Sequence, residues 1–89
     1  MNTSIITPNN EILKSAPKQN IYSLEELQEI VGGYIEIVFL PNKFCLVVNE
    51  EGKLNNLPIN SIATEIMQQH GINDIIVGNA LYCNINQLD

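Results

Sequence analysis

The chain has 89 residues, enough for one small domain, and its 45% hydrophobic content is mostly aliphatic with no Trp, so a modest core of branched side chains is expected. Ten acidic residues stand against four Lys and no Arg, a net charge of −6. That balance repels nucleic acid and anionic membrane and turns the expectation towards protein partners.

From residue 2 to residue 20 the sequence is polar and turn-rich, and Pro8, Pro17 and Asn9-Asn10 separate two apolar pairs, Ile5-Ile6 and Ile12-Leu13. Two short strands are predicted there. The strongest local signal follows, in Tyr22-Ser23-Leu24-Glu25-Glu26-Leu27. Ser23 is placed to cap a helix, Glu26 three residues on completes a capping box, and Tyr22 and Leu27 are spaced as a hydrophobic staple. Leu24, Leu27, Ile30 and Val31 share one helical face, and Gly32-Gly33 stops the helix.

Tyr34 to Leu40 reads as a strand, Pro41-Asn42-Lys43 as a turn and Phe44 to Asn49 as the second arm of a hairpin. Glu50-Glu51-Gly52-Lys53 has the form of a tight loop leading to a third short strand at Leu54 to Leu57, which Pro58 ends. A second helix is expected from Ser61 to His70, capped by Asn60 or Ser61, with Ile62, Ala63, Ile66 and Met67 inward and Gly71 after it. Asp74 to Cys83 reads as a long apolar strand kinked at Gly78-Asn79, and residues 84–89 as a polar, frayed tail. Residues 1–89 thus form a single α+β domain, one small, mostly antiparallel sheet of four to five short strands packed with two short helices.

These residues resemble a known family. Ser23 to Glu36 (Ser-Leu-Glu-Glu-Leu-Gln-Glu-Ile-Val-Gly-Gly-Tyr-Ile-Glu), Val48 to Leu54, Leu57-Pro58-Ile59-Asn60 and Asp74 to Asn79 are similar in order and spacing to domain of unknown function 3846, found in phage, prophage and mobile-element proteins. The resemblance spans nearly the whole chain, with Ser61 standing where the family carries an Arg after Asn. It implies a gene carried by a virus or mobile element, among small proteins that oppose host defences, and hence the host cell cytoplasm.

No catalytic set is visible. His70, the single histidine, sits at a helix C-terminus where it suits the helix dipole, with no nucleophile or carboxylate nearby. Gly32-Gly33 follows a helix and so lacks the helix N-terminus that phosphate binding needs. Glu50-Glu51 is a solvated loop pair without apolar surroundings to raise a pKa. Cys45 and Cys83 lie in apolar stretches too far apart for a zinc site and read as buried free thiols. The absence of a basic, apolar leader at residues 1–10 and of any apolar run near the roughly 18 residues of a membrane span agrees with a cytoplasmic setting.

The expectation is therefore a non-catalytic binding protein without metal or cofactor, a homo-dimer or higher oligomer, that inhibits a host antiviral defence protein by contact. Glu25, Glu26, Glu29, Glu36, Glu50 and Glu51 are expected to cover one side of it and to mimic phosphates towards a basic partner. The alternative is an oligomeric sponge for a nucleotide-derived immune signal, with Tyr34, Asn49 and Asn60 in its pocket, against which stands the shortage of cations, Lys14, Lys18, Lys43 and Lys53 alone.

Overall fold

Strand β4 (Phe44–Asn49) shows how the protein is layered. Its side chains alternate between two cores. Cys45 and Val47 join Leu81 and Cys83 under Leu27 and Val31 of helix α1 (Leu24–Val31), whereas Leu46 and Val48 join Ala80 under Ala63 and Met67 of helix α2 (Ser61–Gln69). One sheet therefore lies between two helices, and a strand buried on both faces reads as the unbroken apolar run Phe-Cys-Leu-Val-Val.

The computed structural model describes residues 3–88. Its sheet has five strands in the order β2-β1-β5-β4-β3, where β1 is Thr3–Ile6, β2 Ile12–Ser15, β3 Ile35–Phe39 and β5 Ala80–Asn84. All pairs are antiparallel, and β1 meets β5 through Ser4 opposite Tyr82. The β3–β4 turn places Asn42 and Lys43 at φ 62° and 65°, and Asn tolerates this left-handed backbone better than most residues. No described helix is long and apolar enough to cross a membrane.

Helix α1 begins as its sequence requires. The Ser23 hydroxyl accepts from the Glu26 N–H and the Glu26 carboxylate accepts from the Ser23 N–H, both at 3.1 Å, and Gly32 ends the helix at φ 81°. Tyr22 and Leu27 are both buried in the same core. Leu24 departs from the expected stripe, being 54% exposed, because it falls in the first turn, beyond the edge of the buried face.

Three further expectations are corrected. Leu54 to Leu57 is no strand but a series of turns, with Leu57 N–H donating to Gly52 O and Asn56 at φ 54°. Residues 74–79 do not extend β5. Gly78 stands at φ 75°, and the preceding backbone bonds elsewhere: Ile76 N–H to the Thr64 hydroxyl, Ile76 O to Asn60 N–H, and Gly78 N–H to Pro58 O. Nor is the C-terminal tail frayed as far as Leu88. Ile85–Gln87 forms a 3-10 turn with its own capping box, and Gln87 O accepts from the buried Tyr22 N–H at 2.7 Å. Residue 89, and residues 1 and 2 of the N-terminal segment, lie outside the described residues.

Candidate functional site

The loop after β4 is fastened from several sides. Asn49 ends the strand, donates from Nδ2 to Val31 O at 3.1 Å and accepts at Oδ1 from the Glu51 N–H at 2.8 Å, which ties the end of α1 to the loop. Glu50 N–H donates to Tyr34 O at 2.8 Å, and Gly52 N–H donates to Asn49 O at 3.2 Å. Gly52 packs so closely on the 76–78 segment that a Cβ there would stand 2.8 Å from Val77 Cγ2. At the tip of this tethered loop Leu54 is 80% exposed.

Beside Leu54, Lys53 Nζ meets Asp74 Oδ1 at 2.6 Å. This is the one ion pair among the described residues. The Lys53 ammonium, and then the Ile75 N–H that donates to the same oxygen, hold the Asp74 carboxyl below its ordinary range. Between the loop, the 74–77 segment and the sheet lies a hollow of ≈ 110 Å³ lined by Glu36, Val38, Glu50, Leu54, Asp74 and Ile75. Ile75, 49% exposed, and Leu54 supply apolar surface, and Glu36 and Glu50 supply unpaired carboxylates at its margin.

The expected acidic side is divided. Glu36 pairs across the sheet with Val48 and so projects on the α2 side, as does the hollow it shares with Glu50. Glu25 and Glu29 stand exposed on α1, on the opposite face, bordering a shallow groove with Lys18, Ile21 and Tyr22. Glu26 is a structural cap. Its carboxyl is lowered by the Ser23 N–H and then the Lys18 N–H. Glu51 borders a third depression, of ≈ 280 Å³, with Gln28, Gly32, Gly33, Tyr34 and Asn55.

Tyr34 and Asn49 do meet at that third depression, but Asn60 does not join them. Asn60 is fully buried, donating from Nδ2 to Ile6 O and Gly78 O at 2.8 Å each and accepting at Oδ1 from the Ala63 N–H at 3.1 Å. It caps α2 and joins that helix to the sheet, with every side-chain polar atom engaged. His70 closes α2 through its backbone N–H to Met67 O.

Cys45 and Cys83 are opposite each other in the β4–β5 register, fully buried, with their sulfurs 3.7 Å apart and unbridged. Their hydrogen bond, and then burial, push the Cys83 thiol far up, which disfavours a thiolate at Cys83. No group of three or more metal-ligating side chains occurs among the described residues.

Leu54 and Ile75 were absent from the sequence-based candidates. Their signal was weak but present: a Leu inside the turn-forming stretch Gly-Lys-Leu-Asn-Asn has no periodic partner to bury it. Comparison with known proteins finds one family, described as "Domain of unknown function (DUF3846)", whose model matches residues 1–88. No curated protein and no solved structure matches the chain.

Proposed function

We propose that this chain, which belongs to the DUF3846 family, is a small non-catalytic binding protein of a phage or mobile element that works by contact with a basic host defence protein. The observation that carries the reading is Leu54, 80% exposed on a loop tethered by Asn49, Gly52 and the Lys53–Asp74 pair. An apolar side chain carried on a backbone already fastened before binding costs less ordering on docking than one on a loose loop, which suits an interface anchor. Glu36 and Glu50 beside it favour Lys or Arg on the partner and speed its approach.

Capture of the host target, and inhibition of the defence system in cells, test this surface. Leu54→Asp should abolish both. Glu36→Gln with Glu50→Gln should slow association and flatten its salt dependence. Glu25→Gln with Glu29→Gln, on the other face, should change little. Full inhibition by a Leu54→Asp, Glu36→Gln, Glu50→Gln chain would refute the reading.

A specific observation favours a second reading, the sponge for a nucleotide-derived signal. The Tyr34 ring is exposed at the edge of the depression that holds Gly32, Gly33, Asn55 and Gln28, where a planar base has a face to stack on and amide groups to pair with. Calorimetry with a purified nucleotide-derived signal separates the two. Binding without any host protein, lost in Tyr34→Ala and kept in Leu54→Asp, would favour the sponge.

A further inference from the structure

Strand β3 is a free edge of the sheet: among the described residues, only β4 pairs with it. Leu40 N–H donates to Phe44 O and Tyr34 O accepts from the Glu50 N–H, so the even-numbered residues of this arm point their backbone groups at β4. By the alternation of an antiparallel ladder, Ile35, Ile37 and Phe39 point theirs outward. The strand contains no Lys and no Pro, the usual protections of an exposed edge, whereas the opposite edge, β2, carries Lys14 near its centre.

We propose that β3 pairs with β3 of a second copy of this chain, antiparallel, on a two-fold axis through Ile37, joining two sheets into one of ten strands. The register follows from the residues. An axis through Glu36 would set Glu36 directly against its symmetry mate, and an axis through Val38 would set Ile35 against Pro41, which has no N–H to give. An axis through Ile37 lets all three outward residues exchange both backbone groups, Ile35 with the second copy's Phe39 and Ile37 with its own mate. Ile35, Ile37 and Phe39 all lie on the α1 face, because they pair with Asn49, Val47 and Cys45. Each Phe39, 67% exposed in the single chain, then covers an Ile35 across the axis. On the other face each Glu36 stands opposite a Val38, so no like charges oppose each other. Glu36 and Val38 border both this seam and the Leu54 hollow, so the variants that test the pairing are at Ile37 and Phe39, on the opposite face.

Sedimentation and single-cysteine cross-linking test it, with circular dichroism to verify that each variant is folded. Across an antiparallel hydrogen-bonded pair the Cα atoms lie about 5.5 Å apart, within disulfide range. In a chain whose Cys45 and Cys83 are changed to Ala, because Cys45 faces position 39 across β3–β4, Ile37→Cys should therefore cross-link under mild oxidation with diamide. Phe39→Cys should not, since its symmetry mate is four residues out of register, roughly 13 Å away. Phe39→Lys, a change at an exposed position, should raise the dimer dissociation constant at least tenfold. A parent chain that remains monomeric at high micromolar concentration overturns the proposal. So does a dimer that survives Phe39→Lys, or one that cross-links through Phe39→Cys and not Ile37→Cys.

Discussion

Replacing Asn60 by Ala removes three hydrogen bonds from a side chain with no exposure at all. The lost N-cap costs about 1 kcal/mol. The Ile6 and Gly78 carbonyls each lose a buried donor, at about 1 kcal/mol or more apiece. A total of about 3 kcal/mol is a large part of the stability of a chain this size, ~4–13 kcal/mol at typical values per residue. With a urea slope of about 1–1.5 kcal/mol/M, the midpoint should fall by about 2–3 M with the slope unchanged. Asn60→Asp adds a signature of its own. Its carboxyl keeps the acceptor for Ala63 but faces two carbonyl oxygens, so its folded-state pKa must rise above the unfolded value. The variant should come closest to the parent below about pH 4 and lose stability as pH rises from there towards neutrality. If Asn60→Ala unfolds at the same urea concentration as a surface control such as Asn55→Ala, the assignment of Asn60 as the fastening between α2 and the sheet is wrong.

Ser23→Ala should cost roughly 0.5–2 kcal/mol in denaturant unfolding, through loss of the α1 cap. Because the Glu26 carboxyl is lowered in the folded chain, its contribution is complete above the ordinary carboxylate range and disappears as pH falls through the folded value; Glu26→Gln should abolish that part of the acid dependence. Gly78→Ala must force a Cβ against Leu57 Cδ1, 2.8 Å away, at a backbone of φ 75°, and a loss of more than 1 kcal/mol in thermal or urea unfolding is expected. Thiol titration of freshly purified, denatured protein should find Cys45 and Cys83 both free, and a disulfide recovered after alkylating lysis would contradict this.

Where local chemistry decided the structure, the sequence was readable. Ser23, Glu26 and Gly32 delimit α1, and the apolar run Phe44 to Asn49 coincides with β4. The predicted strand Tyr34 to Leu40 lost only one residue at each end. The failures came where distant residues compete for backbone hydrogen bonds. Ile75-Ile76-Val77 has strand composition, yet Thr64, Asn60 and Pro58 claim that backbone, and the pairing with β4 begins only at Leu81. The terminal Asn-Ile-Asn-Gln-Leu looked polar and loose because nothing local reveals that Tyr22 would receive it. The candidate site was illegible for a related reason. Which face of the sheet Glu36 takes depends on strand parity, and which helix covers that face depends on the crossovers, neither of which composition or spacing encodes. Glu36 and Glu50 were therefore grouped with Glu25 and Glu29, from which the sheet separates them.

The antiparallel contact of β1 with β5 makes folding wait for a segment made much later than β1. Ser4 faces Tyr82 and Ile6 faces Ala80, so until the residues near 80 leave the ribosome, β1 has only β2 beside it. A lone two-stranded hairpin is marginal in water, and closing so long a loop is slow. During synthesis Ile5 and Ile6 remain uncovered, whereas α1, β3 and β4 can already pack together. The same closure brings the beginning of β1 alongside the end of β5. A short polar linker from the end of the Ile85–Gln87 turn back to β1, with new termini opened elsewhere, should give a circular permutant in which the slowest pairing becomes a local one.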